Sequence, residues 1–253
     1  MTSIFTLITP SFNNYKYLDS WSKSILIQDY RPLRVVFIDD FSNDSTESDF
    51  YKYGNLLSKQ DIQCTYVRNK KRMFYGSCLR IGYEHSVGDF FGCLDADDAL
   101  MDGAVSSVMK QYNANKDIQY IYTQFMNCDY QLNSCKKGFS SIPPNGSNLL
   151  DEGKKNKHCY SHFRTFSKRI ERLDKIWGEG MRCAVDKYMG YRLEELAKGM
   201  FLDKPCYMWR TGRKDSISKT EPSRATWNQV MIEAKKRRVR WNLKPIPIEY
   251  ASE

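Results

Sequence analysis

Two aspartates at alternate positions, Asp95 and Asp97, directly follow the short apolar run of residues 90–94. Carboxylate oxygens are the ligands that Mg²⁺ and Mn²⁺ prefer, and one or two of them complete a coordination shell together with the phosphates of a bound nucleotide. A metal held in this way neutralises charge on a departing diphosphate. We therefore interpret Asp95-Ala96-Asp97 as a candidate Mn²⁺ or Mg²⁺ site, with an acidic turn that caps the next helix as the alternative.

A second pair of carboxylates, Asp39 and Asp40, follows another apolar run, residues 33–38. The run is rich in β-branched residues, as expected of a buried strand, and the residues after Asp40 are typical of a turn. These two aspartates are candidates for ligand binding at a strand end. The alternative is that they cap the helix that begins near Asp44.

The elements that must position these carboxylates lie in the first hundred residues, where short apolar runs alternate with helical patterns. That alternation is typical of βα units that build a mostly parallel sheet flanked by helices. Ligands bind outside the carboxyl ends of the strands in such sheets, so we expect the loops after the strands to share one crevice. The predicted strands are residues 4–9, 33–38, 64–67 and 90–94.

The rest of the chain has a less regular pattern. Residues 127–157 are polar and rich in Gly, Pro and Asn, so we expect a long surface loop there. Helices are predicted near residues 102–115, 163–177, 185–198 and 221–240, and strands near 119–126 and 207–209.

Length and composition favour one compact α/β body, because 41% of the 253 residues are hydrophobic and 14% are aromatic. No apolar run is long enough for a membrane helix and the start lacks a signal-peptide layout, so we expect an unexported, cytoplasmic protein. The eight cysteines include no CxxC pair and are expected to be free thiols in a reducing compartment. No familiar zinc spacing joins His158, His162, Cys128, Cys135 and Cys159.

Binding a diphosphate also needs cations, and a basic stretch between residues 68 and 72 follows the third predicted strand. Arginine is the better bidentate partner of phosphate, so Arg72 is preferred over Lys70 and Lys71. A solvated basic loop is the alternative.

Four stretches of the first hundred residues resemble the family 2 glycosyltransferases, which are inverting enzymes with a GT-A nucleotide-sugar-binding fold. The resemblance covers residues 3–125 well and residues 160–218 more loosely. It implies a GT-A domain over residues 1–218, with a nucleotide-sugar-binding half (1–125) and an acceptor half (126–218), followed by a basic helical extension (219–253). The four stretches are Ile8-Thr9-Pro10-Ser11-Phe12-Asn13, Val36-Phe37-Ile38-Asp39-Asp40-Phe41-Ser42, Gly82 with Gly88, and Leu94-Asp95-Ala96-Asp97-Asp98.

By this resemblance Phe12 would lie against a nucleobase and Asp39 would accept the imide N–H of uracil, so the expected donor is a UDP-sugar. Asp95 would approach the ribose, and Asp97 would ligate the metal that bridges the diphosphate. The other donor-binding candidates are Pro10, Ser11, Asn13 and Ala96 in the same loops, Arg80 where the family commonly has Arg-Asn, and Arg213 or Lys214 near the diphosphate.

An inverting transfer also needs a general base to deprotonate the acceptor hydroxyl. Residues 183–193 resemble the family's later acidic motif, in which an Asp precedes an Arg-Leu pair by six residues, and Asp186 occupies that place. Asp186 is therefore the predicted base, with a role as a helix N-cap as the alternative. Val185 stands where the family usually has a Glu.

The net charge of +9 lies mostly after residue 203, and residues 235–240 hold five cations near Trp227 and Trp241. Such a cluster suits a polyanionic acceptor, either a nucleic acid, such as viral DNA with hydroxylated bases, or an acidic or lipid-linked glycan. A solvated helix end is the alternative. The contrasting functional class is a non-catalytic nucleotide- or nucleic-acid-binding α/β module; a nucleotidyltransferase is less favoured, because no glycine-rich phosphate loop follows the first strand.

Overall fold

A computed structural model of the protein describes residues 2–155, 157–213 and 221–252. These residues form an α/β fold around one large sheet. The strands are β1 (Phe5–Ser11), β2 (Leu33–Asp39), β3 (Gln63–Arg68), β4 (Phe90–Cys93), β5 (Ala99–Leu100), β6 (Tyr120–Cys128), β7 (Cys135–Lys137), β8 (Arg164–Ser167), β9 (Gly199–Arg210) and β10 (Ile248–Ala251). The helices are α1 (Leu18–Leu26), α2 (Thr46–Ser58), α3 (Phe74–Glu84), α4 (Ala104–Ala114), α5 (Leu149–Lys154), α6 (Val185–Leu196) and α7 (Glu221–Trp241).

The sheet runs β10-β9-β6-β8-β4-β1-β2-β3, with β5 paired to β9 and β7 paired to β6. Strands β4, β1, β2 and β3 are parallel neighbours, and so are β6, β9 and β10. Strand β8 joins the two groups by antiparallel pairing with β4 and β6. The predicted mostly parallel sheet flanked by helices is therefore confirmed.

Close packing of α3 on β1 fixes where the strand-end loops lie. Every residue of β1 is buried, and Gly82 of α3 lies directly on Ile8 of that strand. A Cβ at position 82 would clash with the Ile8 side chain. The glycine therefore lets the helix approach the sheet closely enough to hold the loop before α3 against the ends of β1 and β2.

The helix predicted for residues 163–177 is wrong. This stretch contains β8 and a 3₁₀ turn at Leu173–Lys175 instead. Phe163, Phe166 and Ile170 have helical spacing, but their side chains are buried within the sheet core. The predicted loop at residues 127–157 also contains the short strand β7 and the helix α5, and β10 was not predicted.

The expectation that all eight cysteines are free thiols is also wrong. Cys128 and Cys135 form a disulfide between the hydrogen-bonded strands β6 and β7, where the antiparallel register places them opposite each other. A search for CxxC spacing does not detect such a pair, because Cys135 is the seventh residue after Cys128 in the sequence. The other six cysteines are free.

The basic helix α7 is held on α6 by buried ion pairs. Arg238 donates from Nη2 to Glu194 at 2.7 Å and from Nε to Glu195 at 3.2 Å, and Arg237 also pairs with Glu195 at 2.7 Å. Arg192 of α6 completes the cluster at 2.6 Å from Glu195. After α7 the chain adds β10 beside β9, so the predicted C-terminal extension contributes a strand to the same sheet. None of the described helices is long and apolar enough to cross a membrane.

We expect the substitution Arg238→Ala to destabilise the fold by about 3 kcal/mol, because it leaves buried carboxylates without their main cation. Lys236→Ala, which removes an exposed cation from the same helix, is the matched control and should change the free energy of unfolding by less than about 0.5 kcal/mol. Urea denaturation followed by circular dichroism measures both. Equal stability of the two variants would contradict the assignment of Arg238 to a structural ion pair.

Candidate active site

The loops after β1 and β2 are joined by hydrogen bonds that continue the sheet. Asn13 donates its backbone N–H to Ser42 Oγ at 2.9 Å, and its side-chain oxygen accepts from Asn43 at 3.0 Å. The backbone N–H of Asp40 donates to Ser11 at 2.8 Å. The predicted residues after β1 therefore meet the predicted aspartates after β2 at one edge of the sheet.

Asp39 is fully buried at the end of β2. Its Oδ2 accepts from Tyr66 and Arg68 of β3, both at 2.7 Å, and its Oδ1 accepts from the Ser42 N–H at 2.9 Å. Oδ1 thus retains acceptor capacity, whereas Oδ2 already has two donors. Any nucleobase that hydrogen-bonds to Asp39 must use Oδ1 or displace Arg68.

Asp40 positions the loop before α3. Its carboxylate accepts from the backbone N–H groups of Met73 at 2.7 Å and Phe74 at 3.0 Å, and it forms an ion pair with Arg72 at 3.1 Å. The guanidinium carbon of Arg72 lies 3.3 Å from the centroid of the Phe12 ring. The structure therefore places Arg72 over the face of Phe12, and its role in binding a diphosphate remains a prediction.

Asp95 begins the loop after β4 and is held by aromatic hydroxyls. Its carboxylate accepts from Tyr75 at 2.6 Å, and its backbone N–H donates to Tyr207 at 3.1 Å. Arg164, which is buried at the start of β8, donates to the Tyr75 hydroxyl at 2.9 Å and lies 4.0 Å from the second Asp95 oxygen. Burial and Arg164 lower the pKa of His162, the neighbouring acceptor of Arg164, so this histidine is neutral.

Asp97 lies against two arginines from the end of β9 and the residues after it. Arg213 forms an ion pair with the Asp97 carboxylate, and Arg210 donates from Nε to the Asp97 carbonyl oxygen at 2.6 Å. Both guanidinium groups lie over the buried Tyr17 ring, at 4.9 Å for Arg210 and 5.0 Å for Arg213. Lys214, the other predicted phosphate ligand, lies outside the described residues.

Asp98 is the third acidic residue of the loop, and its contacts serve to hold the loop in place. It is buried and accepts from the Tyr207 hydroxyl and the Arg210 backbone N–H, both at 2.8 Å. Burial and the nearby Asp95 raise the pKa of Asp98 to about 8. The contacts tie the loop after β4 to β9, so that Asp95 and Asp97 keep a fixed place at the sheet edge.

Asp186 lies in the first turn of α6 with its side chain exposed. It lines a pocket together with Tyr160, His158 and Lys187. The Tyr160 ring in this lining is almost completely buried. The role of Asp186 as the general base remains a prediction.

The ion pairs of Arg80 involve none of these residues. It forms ion pairs with Glu84, one turn further along α3, and with Glu179 at 2.9 Å. Its guanidinium is thus engaged on the helix surface, and a role in donor binding remains a prediction.

Strained backbone accompanies several of these loops. Asn13, Phe41, Phe74 and Ala184 have φ between 54° and 68°, in the left-handed region. Each such residue costs of the order of 1–3 kcal/mol, and strain of this kind is common at ligand sites. Asn13 follows Phe12, and Phe41 follows Asp40. Phe74 ends the loop that Asp40 holds, and Ala184 precedes the first turn of α6. These are the segments that contain the predicted site residues.

Several site residues have no signal in the sequence pattern. Arg164 and Tyr160 fall in or next to the stretch mistaken for a helix, and Tyr75 and Tyr207 read as ordinary core aromatics. Only an isolated arginine within an apolar run, as in Phe163-Arg164-Thr165-Phe166, is a usable hint, because a buried charge needs a partner.

The carboxylates at the end of β4 are of the type that binds a hard divalent cation. Two carboxylates, Asp95 and Asp97, stand at alternate positions, and such ions take their remaining ligands from water and phosphate. Among the described residues no group of three or more His, Cys, Asp or Glu side chains could hold a metal unaided. Any metal bound here would therefore depend on ligand oxygens from outside the protein.

Solved structures with the same architecture define the class of fold. Staphylococcus aureus TarS (residues 1–349) in complex with UDP-GlcNAc matches with a TM-score of 0.66 and 16% identity, over 93% of this chain and 72% of that one. The mannosyltransferase PcManGT from Pyrobaculum calidifontis, in complex with GDP-Man and Mn²⁺, matches with a TM-score of 0.63 and 17% identity, over 94% of this chain and 65% of that one. The predicted GT-A fold is confirmed.

A comparison of the sequence with family models identifies the family. Residues 6–173, more than half of the chain, match the model of glycosyl transferase family 2, and the chain belongs to that family. The chondroitin synthase of Escherichia coli is 26% identical over 81% of this chain, which spans 28% of that protein. The GalNAc(5)-diNAcBac-PP-undecaprenol beta-1,3-glucosyltransferase of Campylobacter jejuni is 26% identical over 84% of this chain and 66% of its own length.

Because Arg213 occupies the Asp97 carboxylate, it should compete with a divalent cation for that group. We expect Arg213→Ala to bind Mn²⁺ alone about fivefold more tightly than the wild type, the equivalent of roughly 1 kcal/mol from a partly exposed ion pair. Arg224→Ala, which removes an exposed arginine from α7, is the control and should leave the affinity unchanged. Titration of free Mn²⁺ followed by electron paramagnetic resonance measures the affinity. Weaker binding by Arg213→Ala would show that Arg213 does not compete with Mn²⁺ for Asp97.

Proposed function

We propose that this chain transfers a sugar from a UDP-sugar to an acceptor hydroxyl in one metal-assisted, inverting displacement. The observation that carries the proposal is the meeting of Asp97, Arg210 and Arg213 at the same sheet edge as Phe12 and Asp39. The same part of the sheet thus holds anionic ligands for a metal, cations for a diphosphate and an aromatic ring for a nucleobase. This is the set of groups that a nucleotide-diphosphate sugar requires.

For the donor, the nucleobase would lie near Phe12 and Arg72, with Asp39 Oδ1 as the acceptor for the uracil N–H. Membership of the family and the UDP-GlcNAc complex of TarS support a uridine donor. The GDP-Man complex of PcManGT is the reason to include guanosine donors in any screen. Pro10, Ser11, Asn13 and Ala96 would shape the pocket through their backbone.

Asp97, with Asp95 beside it, would hold Mn²⁺ or Mg²⁺, and such a cation neutralises negative charge that develops on the leaving diphosphate. The Mn²⁺ complex of PcManGT supports this choice of ion. Arg213 would leave the Asp97 carboxylate when the donor binds and pair with the diphosphate instead. Arg210 is held by Asp98, the Asp97 carbonyl and Ser20, so it would stay in place.

Asp186 would act as the general base. Its carboxylate would take the proton of the acceptor hydroxyl while the hydroxyl oxygen forms a bond to the anomeric carbon. The bond from that carbon to the diphosphate oxygen breaks in the same step, and its electron pair leaves with the nucleoside diphosphate. Attack from the face opposite the leaving group inverts the anomeric centre. The exposed position of Asp186 supports direct contact with an acceptor.

A glycan is the acceptor class that we favour. The matched relatives are named as a chondroitin synthase and as a glucosyltransferase for an undecaprenol-linked glycan. A nucleic-acid acceptor loses part of its support, because Arg237 and Arg238 are engaged with Glu194 and Glu195. Lys235, Lys236 and Arg240 remain exposed for a polyanion. A cytoplasmic location stays a prediction.

The first test concerns the donor. We expect Asp97→Ala to lose about tenfold or more of its affinity for UDP in the presence of Mn²⁺, because the carboxylate that anchors the metal is gone. Asp102→Ala, an exposed aspartate of the next loop, is the control and should keep wild-type affinity. Isothermal titration with and without Mn²⁺ measures both. If the wild type binds no nucleotide under either condition, the enzyme proposal fails.

The second test concerns the base. Asp186→Asn should lower the rate of transfer by about 10²-fold or more, since general-base catalysis contributes about 10² to 10⁴. Its affinity for UDP and Mn²⁺ should stay that of the wild type, because Asp186 lies in the other half of the site. Product formation from radiolabelled UDP-sugar gives the rate. A variant that keeps its turnover would refute the assigned role.

A further inference from the structure

The pocket beside Asp186 has a charge pattern that the transfer step does not explain. Its lining includes Lys157, His158, Tyr160 and Lys187, which belong to the segment before β8 and to the first turn of α6. Asp186 is the carboxylate in this lining. The pocket is therefore lined by two lysines and by a single carboxylate that the proposed reaction already uses as a base.

Lys187 is the most informative of these groups. It is partly buried, and among the described residues its ammonium has no carboxylate within ion-pair distance. The ammonium lies 4.0 Å from the centroid of the Trp227 ring, and His158 packs against the same ring at 5.4 Å. Burial lowers the pKa of Lys187, because the charged form has lost water, and the charge of Asp186 offsets this loss only in part. An incoming anionic group would restore that lost stabilisation.

Tyr160 forms one wall of the pocket. Its side chain is more than nine-tenths buried, and its hydroxyl has no hydrogen-bond partner among the described residues. The ring packs against Gly190 of α6, where a Cβ would come within 3.1 Å of it. This close packing fixes the position of the Tyr160 ring beside Asp186 and Lys187 in the pocket lining.

We propose that this pocket binds the terminal sugar of the acceptor, and that Lys187 selects a sugar that carries an anionic group, either a carboxylate or a phosphate. The inference deepens the proposed function and rests on Asp186 as its base. One hydroxyl of the bound sugar faces Asp186, and the anionic group replaces the Trp227 ring as the partner of the Lys187 ammonium. Lys157 adds a second cation at the exposed side of the pocket.

The experiment compares three simple glycosides by NMR titration, with and without saturating UDP and Mn²⁺. Methyl β-glucoside is the neutral probe, methyl β-glucuronide carries a carboxylate, and methyl β-glucoside 6-phosphate carries a phosphate. We expect at least one anionic probe to bind about tenfold more tightly than the neutral one, as a charge-assisted hydrogen bond predicts. The better of the two anionic probes identifies the acceptor's charged group.

Variants at position 187 test the residue directly. Lys187→Met keeps the contact with Trp227 through its thioether but should lose the preference for the anion, while its affinity for the neutral probe and for UDP stays the same. Lys187→Arg should retain the preference. Lys235→Met, an exposed lysine of α7, is the control and should behave as the wild type.

Equal affinity for all three probes, no binding of any probe, or an undiminished preference in Lys187→Met would overturn the inference. These outcomes leave the donor proposal standing if UDP still binds. Conversely, a preference for the anion that depends on Lys187 in a protein that binds no UDP would support the pocket and refute the proposed function.

Discussion

The buried carboxyl group of Asp98 makes the hydrogen bonds on which the candidate site depends. It accepts from the Tyr207 hydroxyl and the Arg210 N–H, and so joins the loop after β4 to the end of β9. Without this link the loop after the four-residue strand β4 would keep the contacts of Asp95 with Tyr75 and Tyr207 but would lose the hydrogen bond to the Arg210 backbone. With it, the same β9 residues that fix the loop also bring Arg210 to the Asp97 carbonyl oxygen. Asp98 thus helps to hold the aspartates of the loop next to the arginines at the end of β9.

The first half of the fold could be predicted from the sequence because its strands are short, apolar and separated by helical patterns. Strand β8 could not, because Phe163, Phe166 and Ile170 repeat at helical spacing while antiparallel pairing with β4 and β6 determines their conformation. The Cys128–Cys135 disulfide was missed for a related reason, since only the strand register reveals which cysteines face each other.

Residue types indicated the acidic groups of the site but not their partners. Asp39, Asp95 and Asp97 stand out at strand ends, whereas Tyr66, Arg68 and Arg164 reach them from strands elsewhere in the sheet. The charge excess after residue 203 was similarly ambiguous. Folding divides the cations of α7 into inward arginines that bind Glu194 and Glu195 and outward residues that face solvent, a division that a charge count cannot make.

A crystal structure of the protein with UDP and Mn²⁺ would test the central claim most directly. The account predicts that the metal lies on Asp97 and bridges the diphosphate, that Arg213 has moved from the carboxylate to a phosphate oxygen, and that the uracil lies near Phe12 with its N–H on Asp39. UDP bound away from the carboxyl ends of β1, β2 and β4, or a metal without Asp97 among its ligands, would contradict the account.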